Sequence, residues 1–107
     1  MRKTHSLMQV ALALMDDRVG RHWGYDLMKR AGVRSGVLYP VLQRMLADGW
    51  LSDGWEDPSE IEGGRPPRRY YELTDKGRRE LGAMIADGAF DERFAALFAW
   101  HRGSMTW

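Results

Sequence analysis

The segment between Val33 and Thr74 constrains the fold of this chain more than any other part of the sequence. Its first half, Val33 to Leu51, has apolar residues at the i, i+3, i+4, i+7 spacing of one buried helical stripe: Leu38, Val41, Leu42 and Met45. Ser35 is predicted to cap this helix with its hydroxyl, and Gly49 is predicted to end it in the left-handed conformation. The sequence therefore predicts a helix with one buried side that begins near Ser35.

The outward face of this helix is small and almost uncharged. At about 100° per residue it carries Gly36, Pro40, Gln43 and Ala47, with Tyr39 and Arg44 on its flanks. Small residues let a helix approach another surface closely, and Gln and Arg side chains can pair with base edges. Pro40 removes a backbone donor, and such violations of local rules concentrate at functional sites. The face indicates either a DNA contact or an ordinary surface helix with small side chains.

A β-hairpin is predicted directly after this helix. Trp50–Glu56 and Arg68–Leu73 have the aromatic residues and loose alternation of strands. Asp57–Pro67 contains the Pro, Ser and Gly residues of a loop. The tip is basic, with arginines at three positions: Arg65, Arg68 and Arg69. A helix followed by a basic hairpin is the plan of the winged helix-turn-helix, whose helix enters the major groove while the wing contacts the backbone or the minor groove.

The same residues resemble the PadR family of transcriptional regulators. The resemblance rests on three motifs in order: W-G-Y-D-L-M-K-R from Trp23, G-V-L-Y-P-V-L-Q-R-M-L-A-D-G-W-L from Gly36, and G-R-P-P-R-R-Y-Y-E-L-T-D-K-G from Gly64. The chain departs from the family at Val37, where Ser or Thr is usual, and this removes a hydroxyl that could contact phosphate. The turn from 31 to 34 is also short.

The resemblance implies a mainly α fold with a small β-hairpin (α+β), a winged helix-turn-helix with a C-terminal dimerisation helix. Residues 1–87 are expected to form the DNA-binding domain and residues 88–107 the dimerisation helix. The residues predicted to contact DNA lie on the recognition helix and the wing: Arg34, Ser35, Gly36, Tyr39, Pro40, Gln43, Arg44, Gly64, Arg65, Arg68 and Arg69. Successive strand residues alternate between faces, so at most one of Arg68 and Arg69 is expected to contribute strongly.

The net charge of +1 hides an alternation of charged blocks. Residues 18–44 carry six basic side chains and one acidic, and residues 65–79 carry six basic and two acidic. Residues 48–62 carry six acidic side chains and no Lys or Arg. The basic blocks coincide with the predicted DNA-contacting elements, so a nearly neutral chain can present a positive face to phosphates. The alternative is that the blocks are ordinary solvated faces.

The two ends of the chain are predicted to be apolar helices. Thr4–Asp17 is apolar over much of its circumference, which indicates either a central core helix or burial against a second subunit. After a break at Asp87-Gly88, a new apolar stripe begins, and a domain of 107 residues seldom leaves such a stripe exposed. The resemblance implies that the terminal helices hold a homodimer, with an interface formed by Met8, Ala11, Met15, Phe90, Phe94, Leu97, Phe98 and His101.

Trp100 lies beside this stripe. Two indoles at a twofold axis would form a flat slot for a small aromatic effector, which the resemblance implies for some members. The alternative is that Trp100 only seals the dimer core.

Other classes of function find little support. The chain lacks cysteine, a glycine-rich phosphate loop and metal-ligand spacing of histidines, and His22 is predicted to be a solvated loop residue. We therefore expect no catalytic site, no metal and no cofactor. Leu7–Met15 is too short to cross a bilayer, which needs about 20 residues, so a cytoplasmic protein is expected.

The sequence thus predicts a homodimeric, sequence-specific DNA-binding transcriptional regulator, a repressor of the PadR type, whose partner is double-stranded DNA with a palindromic operator. The alternative is a winged-helix module that binds protein and not DNA. The nearly uncharged helix face keeps this alternative open.

Overall fold

The computed structural model describes residues 3–104, and its elements confirm the predicted α+β class. They follow in the order α1 (His5–Met15), β1 (His22–Trp23), α2 (Gly24–Ala31), α3 (Ser35–Ala47), β2 (Leu51–Trp55), β3 (Arg69–Leu73), α4 (Asp75–Gly88) and α5 (Ala95–Ser104). The strands form an antiparallel sheet in the order β1-β3-β2. The helices cover one face of this sheet, and their apolar sides form a single core around α1. Within residues 3–104, no helix is long and apolar enough to cross a membrane.

The helix-turn-helix consists of α2 and α3. Gly32 ends α2 in the left-handed region, with a φ of 69°, and its amide donates to the Met28 carbonyl. The predicted stripe of α3 is buried at Leu38, Leu42 and Met45, and Val41 is half-buried. Gly49 is left-handed as predicted, with a φ of 75°.

The predicted cap of α3 was wrong. Ser35 is the first helical residue, and the cap position belongs to Arg34, whose side chain makes no capping hydrogen bond. Arg34 has an extended backbone and follows the short turn after α2. The helix therefore begins at Ser35, one residue earlier than a Ser35 cap would require.

The wing is formed by β2, β3 and the loop between them. Leu51 pairs with Leu73 at the base, and Trp55 pairs with Arg69 at the far end. The predicted loop contains two short 3-10 turns, Pro58–Glu60 and Glu62–Gly64. The hairpin therefore follows the predicted plan, except that β2 is one residue shorter at each end and β3 begins one residue later.

The strand β1 was not predicted, and it corrects the interpretation of His22. His22 pairs with Tyr71 of β3 and is only 2% exposed. Its Nε2 donates to the Asp17 carbonyl oxygen at 2.7 Å, while its Nδ1 is buried without a hydrogen-bond partner. His22 is a core residue because β1 turns it toward the helices.

The burial of His22 gives an expected pH dependence of stability. Burial lowers the pKa of His22, although its bond to the Asp17 carbonyl opposes this shift. Its folded-state pKa lies below the unfolded value of about 6.5, so the neutral form stabilises the fold and this stability is lost as pH falls below about 6.5. The slope has an upper limit of about 1.4 kcal/mol per pH unit for one proton.

This dependence is measured by urea titrations between pH 7 and pH 5. His22→Gln keeps an N–H donor and removes the titrating ring, so its stability is expected to change less over this range. If the free energy of unfolding depended equally on pH in the two proteins, His22 would not be the group responsible.

The helix α4 begins beside the end of α3. The Thr74 hydroxyl accepts from the Gly77 amide at 3.0 Å, as predicted for a cap, and donates to the Gly49 carbonyl at 2.6 Å. A Cβ atom on Gly77 would overlap the Trp50 carbonyl oxygen. The first turn of α4 is thus in direct backbone contact with the link between α3 and β2. The helix ends at Gly88, where the sequence predicted a break.

The helix α5 folds back onto α1 and buries part of the predicted dimer interface within the chain itself. The Phe94 ring lies 5.2 Å from the His5 ring, and His101 Nε2 lies 2.9 Å from Asp16 Oδ1. Five of the eight residues assigned to the interface are buried in the chain itself: Met8, Ala11, Phe94, Leu97 and His101. The 3-10 turn Glu92–Phe94 precedes α5, and after it the apolar stripe of α5 faces the core of the chain. The others remain accessible, with Phe90 92% exposed and Met15 and Phe98 partly buried.

Candidate nucleic-acid interface

The outward face of α3 is open to solvent. Its predicted DNA-contacting residues are all exposed: Arg34, Ser35, Gly36, Tyr39, Pro40, Gln43 and Arg44. Residues 34–47 contain no Asp or Glu. Apart from the neighbouring residues in the chain, no described side chain lies within 4 Å of the position that a Cβ on Gly36 would take. The face can therefore approach a polyanion without meeting a carboxylate or a bulky side chain at its first turn.

Tyr39 connects α3 with a cleft beside the wing. A Cβ on Gly24 would overlap the Tyr39 hydroxyl, so Tyr39 lies against the first residue of α2. The cleft has a volume of about 350 Å³ and lies where β1 has ended and the edge of β3 is open. It is lined by Trp23, Gly24, Tyr25, Tyr39, Arg68, Arg69 and Tyr71.

The chemistry of this cleft suits an anionic group such as a phosphate. It combines two guanidinium groups with the first turn of α2, whose cap residue Trp23 makes no side-chain bond to the free amides. A tyrosine hydroxyl is protonated at neutral pH because its ordinary pKa is about 10, and burial raises the pKa of Tyr71 further, so this hydroxyl is a hydrogen-bond donor. Tyr39 adds a second phenol from the recognition helix.

The wing arginines form ion pairs with the acidic block that precedes them. Arg65 donates to both carboxylate oxygens of Glu56, at 2.7 and 2.9 Å, and Arg68 Nε donates to the same carboxylate at 3.2 Å. Arg69 Nε donates to Asp53 at 2.7 Å. The hydrogen bond from Arg65 is the main cause that lowers the pKa of Glu56 to about 2. A guanidinium has five N–H donors, so each arginine keeps donors for a second anion.

Arg68 and Arg69 lie on opposite faces of the sheet. The Arg68 guanidinium lies 4.9 Å from the centre of the Trp23 ring, and Arg69 lies 5.3 Å from that of Tyr71. Both nevertheless line the cleft, because it is located at the open edge of β3. The predicted placement on opposite faces is present, while the unequal contribution of the two arginines to DNA binding stays a prediction.

Several residues of this region were not identified from the sequence. Trp23 and Tyr71 line the cleft, and Arg21 lies 4.1 Å above the Tyr70 ring, which contacts Trp23 edge-on. The register of β1 on β3 brings these residues together, and a strand of two residues is too short to show a periodic pattern in the sequence.

Gly64, which the sequence predicted to contact DNA, lies in the wing loop with a φ of 67°.

Trp100 lies away from the wing, against the helix-turn-helix. It is 46% exposed, and its indole atoms lie 3.3 and 3.5 Å from the position of a Cβ on Gly32. One side of the indole thus packs on the turn between α2 and α3, while the rest remains open to solvent.

Comparison with known families identifies the chain. Residues 12–83 match the transcriptional regulator PadR-like family. The chain belongs to this family. The family consists of transcriptional regulators, which confirms the expectation that this PadR-like chain is not an enzyme. Comparison with curated proteins finds no match.

Solved structures agree with the fold. A PadR family transcription regulator from Clostridium difficile R20291 superposes with a TM-score of 0.67 at 20% identity, covering 90% of this chain and 99% of that one. A PadR-like transcription factor from Bacteroides fragilis gives 0.60 at 26% identity, with 88% and 91% covered. Bacillus subtilis PadR, solved in complex with operator DNA, gives 0.55 at 26% identity, with 74% and 46% covered.

Proposed function

We propose that this PadR-like chain is a sequence-specific DNA-binding repressor that acts as a homodimer on a palindromic operator. The observation that carries the proposal is the exposed, carboxylate-free face of α3 beside a cleft lined by Arg68 and Arg69. The similarity to a PadR solved with its operator supports the same partner. Binding of such a dimer across a promoter would exclude other proteins from the site.

On DNA, α3 enters the major groove. Gln43 suits a bidentate contact to adenine, and Arg44 suits one to guanine. The small residues Gly36 and Pro40 allow the helix backbone to approach the base edges. Arg34 and Ser35, at the start of α3, lie where a flanking phosphate would pass.

The cleft receives a backbone phosphate next to α3. Tyr39 and the guanidinium groups of Arg68 and Arg69 converge there, and the amides at the start of α2 add further donors. Gly64 and Arg65 in the wing loop then extend the contact along the backbone. In this proposal the cleft fixes the position of the protein along the duplex, and α3 selects the base sequence.

Two copies associate through the terminal helices. We assign residues 1–87 to the DNA-binding domain and residues 88–107 to dimerisation. The exposed Phe90 and the partly buried Met15 and Phe98 supply an apolar surface for the second copy. A dimer of this kind spaces its recognition helices by about 34 Å, one turn of DNA. A small aromatic effector would bind the open side of Trp100.

Substitution of the recognition residues tests the proposal. Gln43→Ala and Arg44→Ala are each expected to lose about 1–3 kcal/mol of discrimination between the operator and a site with one base pair changed. The operator is first obtained by selection from random DNA, and affinities are then measured by fluorescence anisotropy. Val19→Ala, which truncates an uncharged side chain that is 79% exposed in the α1–β1 connection, is the control and should leave discrimination intact. Unchanged discrimination in both α3 variants would remove this face from the interface.

Substitution of the wing arginines tests the phosphate contacts. Replacing Arg65, Arg68 and Arg69 by Ala is expected to make the slope of log K against log salt shallower by about 1 per lost contact. The partial neutralisation by Glu56 and Asp53 makes this an upper limit. Val19→Ala is again the control and should keep the wild-type slope. A triple variant with the wild-type slope would show that the wing lies outside the interface.

The second candidate function is a protein-binding module. The nearly uncharged face of α3 favours it, since such a face also suits an apolar protein partner. The two functions differ in salt dependence, because phosphate binding weakens steeply as salt rises. A chain with no salt-dependent affinity for any DNA of the random library would favour the module.

A further inference from the structure

Trp55 is a large aromatic residue that the chain leaves open to solvent. It is the last residue of β2 and is 65% exposed, whereas the other sheet aromatics, Trp23, Tyr70 and Tyr71, are partly or fully buried. The exposure of an indole on a hairpin is unfavourable unless a partner covers it, since an indole buries a large apolar area on contact. The recognition residues described above do not include it.

The register of the hairpin fixes the direction in which Trp55 faces. Alternate residues share a face, so Trp55 lies with Asp53 on β2 and with Arg69 and Tyr71 on β3. Arg69 and Tyr71 line the cleft beside Tyr39 of α3. Trp55 therefore continues the same face outward, beyond the proposed phosphate site and toward the tip of the wing.

The charges around Trp55 indicate what covers it. Arg69 is its direct cross-strand partner, and Glu56, the next residue, holds Arg65 and Arg68. Arg69, paired with Asp53, shares the face of Trp55, and Arg68 lies on the other face of the hairpin. An apolar ring on a hairpin that carries arginines on both faces fits a polyanion that also offers apolar surface. Duplex DNA meets both requirements, because its phosphates border the apolar faces of the deoxyribose rings in the minor groove.

We propose that Trp55 is a DNA-binding residue of the wing, whose indole packs against deoxyribose and base edges in the minor groove next to the site of α3. This inference rests on the proposed function and deepens it. It gives the wing an apolar contact in addition to its ionic ones. The apolar contact releases no counterions, so its contribution to affinity is independent of salt.

The test compares affinity and salt slope in matched variants. Trp55→Ala is expected to weaken operator binding about tenfold with an unchanged slope of log K against log salt, and Trp55→Phe is expected to retain most of the affinity. Arg65→Ala should instead make the slope shallower. Val19→Ala, which truncates a side chain that is 79% exposed in the α1–β1 connection, is the control and should bind as the wild type does.

The outcomes distinguish failure of the Trp55 contact from failure of the proposed DNA-binding function. Wild-type affinity in Trp55→Ala, or a loss accompanied by the slope change of Arg65→Ala, would overturn the apolar contact while leaving DNA binding in place. A wild-type chain that binds no DNA overturns the proposed function and this inference together. Trp55→Ala is expected to keep the wild-type melting temperature, because the truncated side chain is exposed. Melting curves measured by circular dichroism check this. A DNA-induced blue shift of indole emission that disappears in Trp55→Phe gives a direct readout.

Discussion

Replacement of Phe94 by Ala is expected to lower the free energy of unfolding by about 3–5 kcal/mol. The Phe94 ring is 1% exposed and packs against the His5 ring, next to Gly88 at the end of α4. It anchors the turn that folds α5 back onto α1, so its removal leaves a cavity between three helices. Urea titration followed by circular dichroism measures the loss, at a protein concentration that keeps the association state constant.

Phe90→Ala is the matched control for this prediction. The same atoms are removed four residues earlier, but the Phe90 ring is 92% exposed. The free energy of unfolding of the subunit is expected to change by no more than about 0.5 kcal/mol. Sedimentation equilibrium is expected to show weaker self-association, because Phe90 belongs to the proposed dimer surface. Equal losses of stability in the two variants would contradict the intrachain packing of α5.

Gly77→Ala is expected to destabilise the fold by about 3 kcal/mol, at the upper end of the range for overpacking. A Cβ at this position overlaps the carbonyl oxygen of Trp50, which also accepts a hydrogen bond from the Thr74 amide at 3.1 Å. The carbonyl belongs to the backbone between α3 and β2, so it cannot move without shifting either the recognition helix or the wing. Thermal and urea unfolding measure the effect.

Gly82→Ala provides the control in the same helix. The nearest atom to its added Cβ is Met15 Cε at 3.7 Å, an ordinary contact. Alanine has a higher helix propensity than glycine, so this variant is expected to gain about 0.5–1 kcal/mol. The same chemical change thus has opposite effects five residues apart. A Gly77→Ala variant as stable as the wild type would show that α4 does not contact Trp50.

The sequence predicted the elements whose signals are local. The buried stripe of α3, the left-handed Gly49 and the capping hydroxyl of Thr74 each depend on residues within a few positions of one another. Long-range features were missed. The burial of His22 depends on pairing with Tyr71, which is far away in the chain and leaves no periodic pattern in a strand of two residues.

In the candidate site, too, the local features were predicted and the long-range contacts were missed. Exposure of α3 follows from its helical phase, so its outward residues were identified. The pairing of Arg65 with Glu56 depends on how the wing loop closes, and charge blocks alone do not specify which side chains meet. The stripe after Gly88 has a continuous helical phase from Phe90 to Phe98, but the 3-10 turn Glu92–Phe94 separates an exposed Phe90 from a buried Phe94.

The contact of Gly77 with Trp50 has a consequence for control of DNA binding. At this point the end of α3, the base of the wing and the start of α4 meet: the Thr74 hydroxyl donates to the Gly49 carbonyl, the Thr74 amide donates to the Trp50 carbonyl, and Gly77 packs against that carbonyl. A tilt of the recognition helix relative to the wing would disrupt these contacts. In the proposed homodimer, regulation would act on the distance between the two DNA-binding units and leave each unit unchanged.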